Sequence, residues 1–441
     1  MPVAYNPTTV SRGLLLNADF ANVKSFPLSQ NLYTYSQDFS QASWIKDTNV
    51  NFTYNAATAP DGTTTATKMA LQSTWAGQIP IYSYPPSLPA GAPFTSSIYF
   101  KAAEWTWAYL WCDSGAGNGL TLEINLTNGQ SRVTRSNGST FITFTNTSVQ
   151  NVGNGWYRAI INGVIASTPN PMFRVYPSNV QWVSGNFGTP TPTGDNTSGI
   201  LMWGAQFEQN SSVGDYVLTG ASISSRSTIT DQVAGLSGSI NNSAYYYYDS
   251  ATKSLRLDRD ATVVTGGFVQ FTGTGSLTAT NFLYNDHTME IVGRINDYNA
   301  SNINVNEGDN SLFNYQGYHS GFLYNAASGL RYSLWNGVGW NQLQYPTSPT
   351  VGTWFHAAVT RSINTMTLYL NGIAQTTFTV SLAGGNPGVT NNIKLGAGNP
   401  TTGPYANYCK ANIATARMYN ASLTAVEISQ NYAAFRGRYG L

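Results

Sequence analysis

The sequence predicts an all-β protein made of two antiparallel β-sandwiches, the first inserted into the second, with one short C-terminal helix. Three observations predict this class. The chain has 441 residues, which is more than one small sandwich needs. Short segments alternate between apolar and polar residues, as half-buried strands do. Tight-turn signals recur between these segments, among them Pro60-Asp61-Gly62, Asn118-Gly119, Asn128-Gly129 and Asn137-Gly138.

The charge content excludes several function classes. Only 9% of the residues are charged, the net charge is +1, and Lys and Arg do not cluster, so no nucleic-acid-binding face is expected. The apolar runs are far shorter than the ~20 residues that span a bilayer, so no membrane insertion is expected.

The segment from Met1 to Asn6 lacks the basic start and apolar core of a secretory signal. Cys112 and Cys409 fall in different predicted domains, which indicates two buried free thiols and synthesis in a reducing cytoplasm.

The first predicted strand, from Gly13 to Asp19, is separated from its partners. A different strand-rich module begins at Asn31 and ends near residue 221, and the pattern of the first domain resumes near Thr228. We therefore predict a discontinuous domain of residues 1–30 and 222–441, with a sandwich of residues 31–221 inserted into it. The alternative is a tandem arrangement in which residues 1–30 form an arm that docks elsewhere.

The module of residues 31–221 contains strand patterns at residues 95–101 and 120–126, with apolar side chains mostly on one face. Trp105, Trp107 and Trp111 share one parity, which predicts a stripe in the core. The module resembles a carbohydrate-binding-module-like sandwich that is common in bacteriophage tail and virion proteins. This resemblance implies a sandwich fold and a place on a virus particle. The segments that carry it are residues 31–39 with Trp44, residues 59–63, 154–158 and 174–177, and residues 199–208 with Tyr216.

The discontinuous domain contains the strongest motif of the chain, the hairpin pattern of residues 352–372. Phe355, Ala357 and Val359 alternate with polar residues, and the return strand ends in the turn Asn371-Gly372. This hairpin resembles the core hairpin of concanavalin A-like, or laminin-G-like, jelly rolls. The resemblance implies a jelly roll whose other strands lie at residues 254–258, 267–271, 287–295 and 411–420.

The residue pattern near the C-terminal end of the given sequence, from 423 to 436, predicts the one helix that we expect. Ile428, Tyr432 and Phe435 are spaced i, i+4 and i+7, which gives one apolar stripe. Thr424 and Glu427 have the spacing of a capping box. We expect this helix to pack against the edge of the sandwich.

The sequence indicates no catalytic site. A jelly-roll glycosidase needs two carboxylates ~5–10 Å apart across a groove, and no groove-facing strand carries such a pair. Glu290 stands alone on its strand, and Asp258 and Asp260 read as residues of a turn. His287, His319 and His356 show no metal spacing, and a structural role is expected for His356. The protein is therefore predicted not to be an enzyme.

Sugar binding is the chemistry that the aromatic residues suggest, because flat rings stack on pyranose rings. Trp335 and Trp340 flank a predicted hairpin tip, and the run of Tyr245 to Tyr248 places rings on both faces of a strand. Glu307 and Asp309 offer hard oxygen ligands, so calcium is the one ion that the sequence suggests; no other cofactor is indicated. The candidate carbohydrate-binding residues are Trp335, Trp340, Tyr246 and Trp182.

Together these observations predict a non-enzymatic surface protein of a bacteriophage virion: a decoration protein, fibre or adhesin that contacts glycans on the host cell. Its expected partners are other virion proteins and further copies of itself, and its expected location is the virion, after synthesis in the host cytoplasm. One alternative is a purely structural capsid or tail cementing protein without a ligand. A polysaccharide depolymerase is a third reading, which the missing carboxylate pair disfavours.

Overall fold

The computed structural model describes residues 8–22, 26, 29–77, 79–113, 119–136, 142–166, 171–181, 192–224, 228–241, 245–249, 251–259, 266–297, 310–315, 320–335, 339–380, 392–398 and 408–441. The chain divides into two compact units. The jelly-roll unit consists of Met1–Leu28 and Arg226–Leu441, and the inserted unit consists of Ser29–Ser225. Nearly all regular structure in the described ranges is antiparallel strand, which confirms the predicted all-β class.

The chain begins with β1 (Leu14–Asp19) of the jelly-roll unit and then enters the inserted unit, a sandwich of two six-stranded sheets. Sheet 1 has the order β10-β11-β6-β13-β4-β3, and sheet 2 has the order β2-β5-β12-β7-β8-β9. The strands are β2 (Ile45–Lys46), β3 (Val50–Ala57), β4 (Ala66–Leu71), β5 (Ile81–Ser83), β6 (Pro93–Ala102), β7 (Trp107–Asp113), β8 (Gly119–Asn125), β9 (Ser131–Ser136), β10 (Ile142–Gly153), β11 (Trp156–Ile165), β12 (Met172–Ser178) and β13 (Gly199–Glu208).

The interior of the inserted unit is lined by one face of each sheet. Leu110 of β7 and Phe173 of β12 lie there with Ile98 of β6, around a small cavity between the sheets. Because side chains alternate along a strand, Trp107 and Trp111 of β7 lie on the outer face of sheet 2. Of the predicted core stripe, Trp105 and Trp111 are buried, at 6% and 4% exposed, and Trp107 is half-buried. The strand carries large apolar side chains on both of its faces.

The ends of the inserted unit are held side by side. Asn31 and Ser224 form an antiparallel bridge, in which Asn31 N donates to Ser224 O at 3.0 Å and Ser224 N donates to Asn31 O at 2.8 Å. The buried Asn31 side chain adds two donated bonds of 2.9 Å, to the carbonyl oxygens of Ala205 and Val217. The chain therefore enters and leaves this unit at neighbouring positions.

The jelly-roll unit continues after the inserted unit with two further sheets. Sheet 3 has the order β16-β17-β28-β19-β24-β25-β26, with β1 also paired to β28, and sheet 4 has the order β14-β15-β18-β27-β20-β21-β22-β23. A 3-10 turn (Gly275–Leu277) and the short α1 (Ala279–Leu283) precede β19. The strands are β14 (Thr228–Thr230), β15 (Ser237–Asn241), β16 (Tyr246–Asp249), β17 (Ser254–Leu257), β18 (Phe268–Thr272), β19 (His287–Ile295), β20 (Asn310–Tyr315), β21 (Ser320–Asn325), β22 (Gly329–Trp335), β23 (Trp340–Gln344), β24 (Trp354–Ser362), β25 (Thr365–Leu370), β26 (Ile373–Thr379), β27 (Asn392–Leu395) and β28 (Ala411–Tyr419).

Strand β28 is completed on one edge by two different strands. Leu255 to Leu257 of β17 pair with its first residues, and β1 pairs with its remainder, from Thr415 to Tyr419. Its other edge pairs with β19 along its length. The strand at the start of the chain is thus an integral member of sheet 3. The apolar faces of sheets 3 and 4 enclose a single large core that includes Leu16, Ala18, Ile291, Phe313, Tyr332, Phe355, Val359 and Met418.

The C-terminal helix α2 (Ala425–Tyr439) has the predicted capping box: Thr424 Oγ1 accepts from Glu427 N, and Glu427 accepts from Thr424 N. Ile428 and Phe435 of the predicted stripe are buried, and Tyr432 is half-buried. Neither helix in the described part of the chain is long and apolar enough to cross a membrane. Cys112 and Cys409 are buried free thiols, as predicted.

Residues near the N-terminus are bound to α2. Val10 N donates to Asn431 Oδ1 at 2.7 Å, and Arg12 donates to both carboxylate oxygens of Glu427 at 2.9 and 2.8 Å. Gln430 Nε2 donates to Thr8 O at 2.7 Å. The segment from Thr8 to Arg12 is therefore attached to the jelly-roll unit itself.

Candidate functional site

The predicted aromatic pair of Trp335 and Trp340 is formed by the hairpin of β22 and β23. The two residues are cross-strand partners, and their ring centroids lie 5.3 Å apart with the planes at 66°. Leu334, beside Trp335 in the strand, points into the core, so Trp335 points outward. Both tryptophans are partly exposed. An edge-to-face pair at the surface gives a sugar ring an apolar contact with a fixed orientation.

Polar residues follow this pair along the same face of the hairpin. Arg331 and Ser333 alternate with core residues along β22, and Gln342 of β23 is exposed. Arg331 Nη1 donates to Gln342 Oε1 at 2.8 Å, which holds the Gln342 side chain in place. Arg331 and Ser333 are themselves buried, at 6% and 1% exposed. A site with a few oriented polar groups around aromatic rings is typical of small-molecule recognition.

The polar face continues across sheet 4 as a row of residues in register. Lys394 is only 1% exposed, and burial lowers the pKa of its ammonium to about 8. Its Nζ lies 4.9 Å from the centroid of the Phe268 ring, a cation–π distance. The outer face of sheet 4 thus carries polar side chains even at positions that are buried, such as Lys394. The row consists of Gln270, Lys394, Asn314, Gly321, Ser333 and Gln342.

The remaining predicted site residues do not join this hairpin. Tyr246 is only 7% exposed and belongs to the core of the jelly-roll unit, so it presents no accessible ring to a sugar. The sugar-binding prediction for Tyr246 is therefore wrong. Alternation along the strand turns Tyr246 and Tyr248 inward and Tyr247 outward. The Arg256 guanidinium lies 5.7 Å from the centroid of the outward Tyr247 ring.

Trp182, Glu307 and Asp309 lie outside the described residues. The sugar-binding prediction for Trp182 and the calcium prediction for Glu307 and Asp309 therefore remain predictions. Within the described ranges, His, Cys, Asp and Glu side chains form no group of three or more that could hold a metal ion.

A buried polar cluster lies between sheet 3 and α2. Glu290 Oε2 accepts from His356 Nε2 at 3.2 Å and from Asn431 Nδ2 at 3.0 Å. Glu290 Oε1 accepts from Tyr419 Oη at 3.0 Å and from Arg417 Nη1 at 3.4 Å. All five residues are at most 4% exposed. Glu290 is thus alone on β19 but is fully paired by neighbouring strands and by the helix.

This cluster has the features of a structural element. Burial by itself raises the pKa of the Glu290 carboxyl, but the hydrogen bond from His356 and the charges of His356 and Arg417 lower that pKa to about 2. The guanidinium of Arg417 also packs 4.6 Å from the centroid of the Phe435 ring. A closed cluster of this kind fixes α2 on sheet 3, in keeping with the structural role predicted for His356.

We expect acid to weaken the jelly-roll unit through Glu290. Its folded pKa of about 2 lies below its ordinary value of 4.5, so its stabilisation is complete above pH 4.5 and is lost as pH falls toward 2. The free energy of unfolding should drop by roughly 3 kcal/mol over this window. Urea titrations from pH 7 to pH 2 on the wild type and on Glu290→Gln measure this contribution. The two pH profiles should converge toward pH 2; parallel profiles would contradict the assignment.

The outer face of sheet 2 in the inserted unit carries a second group of aromatic and charged side chains. Arg174 Nη2 lies 2.6 Å from Asp113 Oδ2, and the Arg174 guanidinium stacks 4.6 Å from the centroid of the Trp111 ring. Tyr176 packs against Trp111 at a centroid distance of 5.9 Å. Sequence reasoning missed this group because its members come from β7 and β12, about 60 residues apart, and only the register of sheet 2 brings them together.

A second charged pair lies beside this group. Arg132 Nε donates to Glu123 Oε1 at 2.6 Å, and Gln181 Nε2 donates to the same oxygen at 3.1 Å. Glu123 is 1% exposed, and Trp111 is 4% exposed. Both groups are therefore packed and paired, and the Trp335–Trp340 pair is the more accessible of the two aromatic sites.

The carboxylate of Asp258 is also paired. It lies 3.4 Å from Arg256 Nη2 and 3.7 Å from Lys410 Nζ, and it accepts from the backbone N of Arg259 at 2.9 Å. These contacts agree with the predicted role in a turn. Asp260 lies outside the described residues.

Comparison with known families finds a match for one part of the chain. Residues 265–429 match the family model described as the Concanavalin A-like lectin/glucanases superfamily. The matched range contains the hairpin of β24 and β25 and three of the four other segments of the predicted jelly roll, those at residues 267–271, 287–295 and 411–420; residues 254–258 lie before it. That part of the prediction is confirmed. No curated protein matches the chain.

The solved structures that match the chain include binding domains of botulinum neurotoxins. Botulinum neurotoxin type C, in a structure concerned with cell entry through two ganglioside molecules, is 16% identical, with a TM-score of 0.36 over 46% of this chain and 48% of that chain. The binding domain of botulinum neurotoxin DC in complex with rat synaptotagmin II is 14% identical, with a TM-score of 0.36 over 47% and 49%. The binding domain of Paraclostridial Mosquitocidal Protein 1 is 14% identical, with a TM-score of 0.36 over 47% and 50%.

The chain thus spans about half the length of the solved structures that it matches. At a TM-score of 0.36 these likenesses carry no further argument about this chain.

Proposed function

We propose that this protein is a non-enzymatic, glycan-binding surface protein of a bacteriophage particle. The observation that carries the glycan-binding part is the partly exposed Trp335–Trp340 pair, which stands at the end of a hairpin with oriented polar neighbours. A sugar ring would pack its C–H face on the indoles while a hydroxyl group bonds to the exposed Gln342.

The virion setting rests on the resemblance of residues 31–221 to sandwiches of phage tail and virion proteins, and on the low charge content of 9%. We propose that the protein occurs in several copies with other virion proteins, because weak single sites gain strength when many copies bind one cell. A purely structural cementing role without a ligand is the main alternative.

The non-enzymatic part of the proposal is supported by the carboxylates. Glu290, Glu123, Asp113 and Asp258 each lie within 3.7 Å of a basic group, and three of the four are at most 1% exposed. A buried carboxylate that is bound to Arg or His is poorly suited to be the proton donor or nucleophile of a glycosidase.

We expect Trp340→Ala to lower the affinity for glycans by about tenfold or more, because it removes one ring of the pair. The wild type and the variant should be compared on a glycan array and on intact host cells. Trp340→Phe, which keeps a ring, should retain most of the binding. Ile373→Ala is the matched control, since it removes a 67% exposed apolar side chain elsewhere in the same unit.

Two outcomes would contradict the proposal. If the wild type binds no glycan even at high multivalent display but stays firmly attached to particles, the cementing role is favoured. If Trp340→Ala and Ile373→Ala bind as well as the wild type, the hairpin is not the site. Chelation of calcium in the same assay tests the separate prediction for Glu307 and Asp309.

A further inference from the structure

His287 is a fully buried histidine at one end of the core of the jelly-roll unit, at 0% exposed. It is the first residue of β19, and it lies on the same side of the strand as Met289 and Ile291, which belong to the core. Its ring centroid lies 4.6 Å from that of Phe282 in α1. The cluster of Glu290 lies on the opposite side of β19, so the two buried groups are separate.

The hydrogen bonds of His287 leave one ring nitrogen without a partner. Nδ1 lies 2.9 Å from the carbonyl oxygen of Asn285, which can only accept, so Nδ1 carries the proton of the neutral ring. Nε2 is then an unprotonated acceptor, and in the described part of the chain no group donates to it. Protonation of Nε2 would therefore place a positive charge at a buried atom that has no hydrogen-bond partner.

Arg361 makes a second positive charge at this position unfavourable. It is the cross-strand partner of His287 in the pairing of β19 with β24, so the two side chains leave the sheet side by side on one face. Arg361 is 4% exposed, and its Nη1 donates to Leu283 O at 2.9 Å and to Asn285 O at 3.0 Å. His287 and Arg361 thus bind the same carbonyl group, and a charge on the imidazole would repel the guanidinium.

These bonds attach a short segment that closes the end of the core, residues 275–286, which we call the α1 cap. It contains the 3-10 turn and α1. The bonds from His287 and Arg361 reach its backbone at residues 283 and 285, where the chain passes from α1 into β19. Its buried apolar residues, each at most 3% exposed, are Leu277, Phe282 and Leu283.

The other charged and titratable groups near His287 do not neutralise a second positive charge. Asp286 is exposed, and its Oδ1 accepts from the backbone N of Ile363 at 2.6 Å. Tyr332 of β22 faces Arg361 from sheet 4, and it stays neutral because burial raises its pKa. The α1 cap contains no charged residue before Asp286.

The pKa of the His287 ring reflects these surroundings. Burial is the main cause that lowers this pKa, to about 4, and the charge of Arg361 lowers it further. The carbonyl groups of Asn285 and Phe282 and the charge of Asp286 act in the opposite direction and offset only part of the effect.

We propose that the α1 cap opens in weak acid, because protonation of His287 releases residues 275–286 from the end of the core while the rest of the jelly-roll unit stays folded. In the open state the imidazolium is hydrated and lies farther from Arg361. Phe282 and Leu283, now buried, would then be exposed. The inference is independent of the proposed function, since none of these residues belongs to the Trp335–Trp340 site.

The pH window follows from the direction of the shift. The folded pKa of His287 lies below its ordinary value of 6.5, so the closed cap has its full stability above pH 6.5. That stability is lost as pH falls from 6.5 toward 4. The contribution of Glu290 is complete above pH 4.5, so the range from 6.5 to 4.5 separates the two groups.

Hydrogen exchange of the full chain at pH 7.5 and pH 4.5 tests the proposal. The backbone N–H groups of Phe282 and Asn285 report opening, because they donate within the cap to Thr278 O and Phe282 O. After correction for the intrinsic exchange rate, their protection should fall by roughly 50- to 100-fold between the two pH values. Peptides from β28 and α2 should change by less than about threefold, since the opening is local.

His287→Gln is the test variant, because a glutamine amide can donate to Asn285 O and carries no charge at any pH. Protection of its α1 cap should agree at the two pH values within about threefold. The matched control is His356→Gln. His356 is also 0% exposed, but its Nε2 is bonded to Glu290, so this variant should keep the pH dependence of the wild-type cap.

A magnetic resonance titration of the wild-type histidine rings decides the matter even if His287→Gln does not fold. The His287 ring should stay neutral, with its proton on Nδ1, until the pH is at least about one unit below the ordinary value of 6.5. Titration near 6.5 would overturn the proposal. So would protection of the α1 cap that stays constant down to pH 4.5, that falls equally in His287→Gln, or that falls no more than the protection of β28 and α2.

Discussion

Replacing Glu290 by glutamine is expected to lower the free energy of unfolding of the jelly-roll unit by about 3–5 kcal/mol. The carboxylate accepts four hydrogen bonds under α2, and the amide can neither accept all four nor neutralise Arg417. A buried guanidinium without its counter-charge is the source of the cost. Hydrogen exchange of peptides from β19, β28 and α2 measures the loss locally, which avoids the assumption that a two-unit chain unfolds in one step.

The matched control for this substitution is Glu427→Gln. Glu427 is also a carboxylate held by an arginine, Arg12, but its side chain is 22% exposed and that of Arg12 is 53% exposed. Exposed pairs contribute only about 0–1 kcal/mol, so the control should cost far less than Glu290→Gln. Equal losses in the two variants would show that burial is not the source of the Glu290 effect.

Truncating Trp203 to alanine should destabilise the inserted unit by about 3–5 kcal/mol. Trp203 of β13 is 2% exposed, and its ring packs at centroid distances of 5.1 Å from Tyr99 and 4.5 Å from Tyr216. Its Nε1 donates to Thr65 Oγ1 at 2.9 Å. The variant therefore loses a large buried ring and a hydrogen bond and leaves a cavity between these neighbours.

Trp203→Phe serves as the comparison for this prediction, because it keeps an aromatic ring and loses only the indole hydrogen bond and part of the volume. It should cost clearly less than the alanine variant in denaturant unfolding followed by hydrogen exchange of β6 and β13. A loss in Trp203→Ala of under about 1 kcal/mol would mean that the ring contributes little to the inserted unit.

The sequence was sufficient for the fold class and for individual strands. Alternation and the Asn371-Gly372 turn located the hairpin of β24 and β25, and the Thr424–Glu427 spacing located the start of α2. The resemblance to a jelly roll implied β19. These features are local, so they can be recognised in a single stretch of sequence.

The features that sequence reasoning missed all depend on register between distant strands. Glu290 and His356 are in contact because β19 pairs with β24. The sequence of neither strand indicates that the other is its partner. The parity of the Tyr245–Tyr248 run was open for the same reason, and the inward position of Tyr246 follows from its pairing with Leu257.

The shared edge of β28 has a consequence for the order in which this chain folds during synthesis. Asn17 and Arg417 form a side-chain hydrogen bond across 400 positions, so sheet 3 cannot close until its last strand has left the ribosome. The inserted unit is made long before that moment and can fold first. Once folded, its bridged ends at Asn31 and Ser224 shorten the effective loop between β1 and the rest of its sheet, which reduces the entropy lost on closure. Late docking of β1 would then be the slow step, and it would be slower still in a variant that weakens the Asn31–Ser224 bridge.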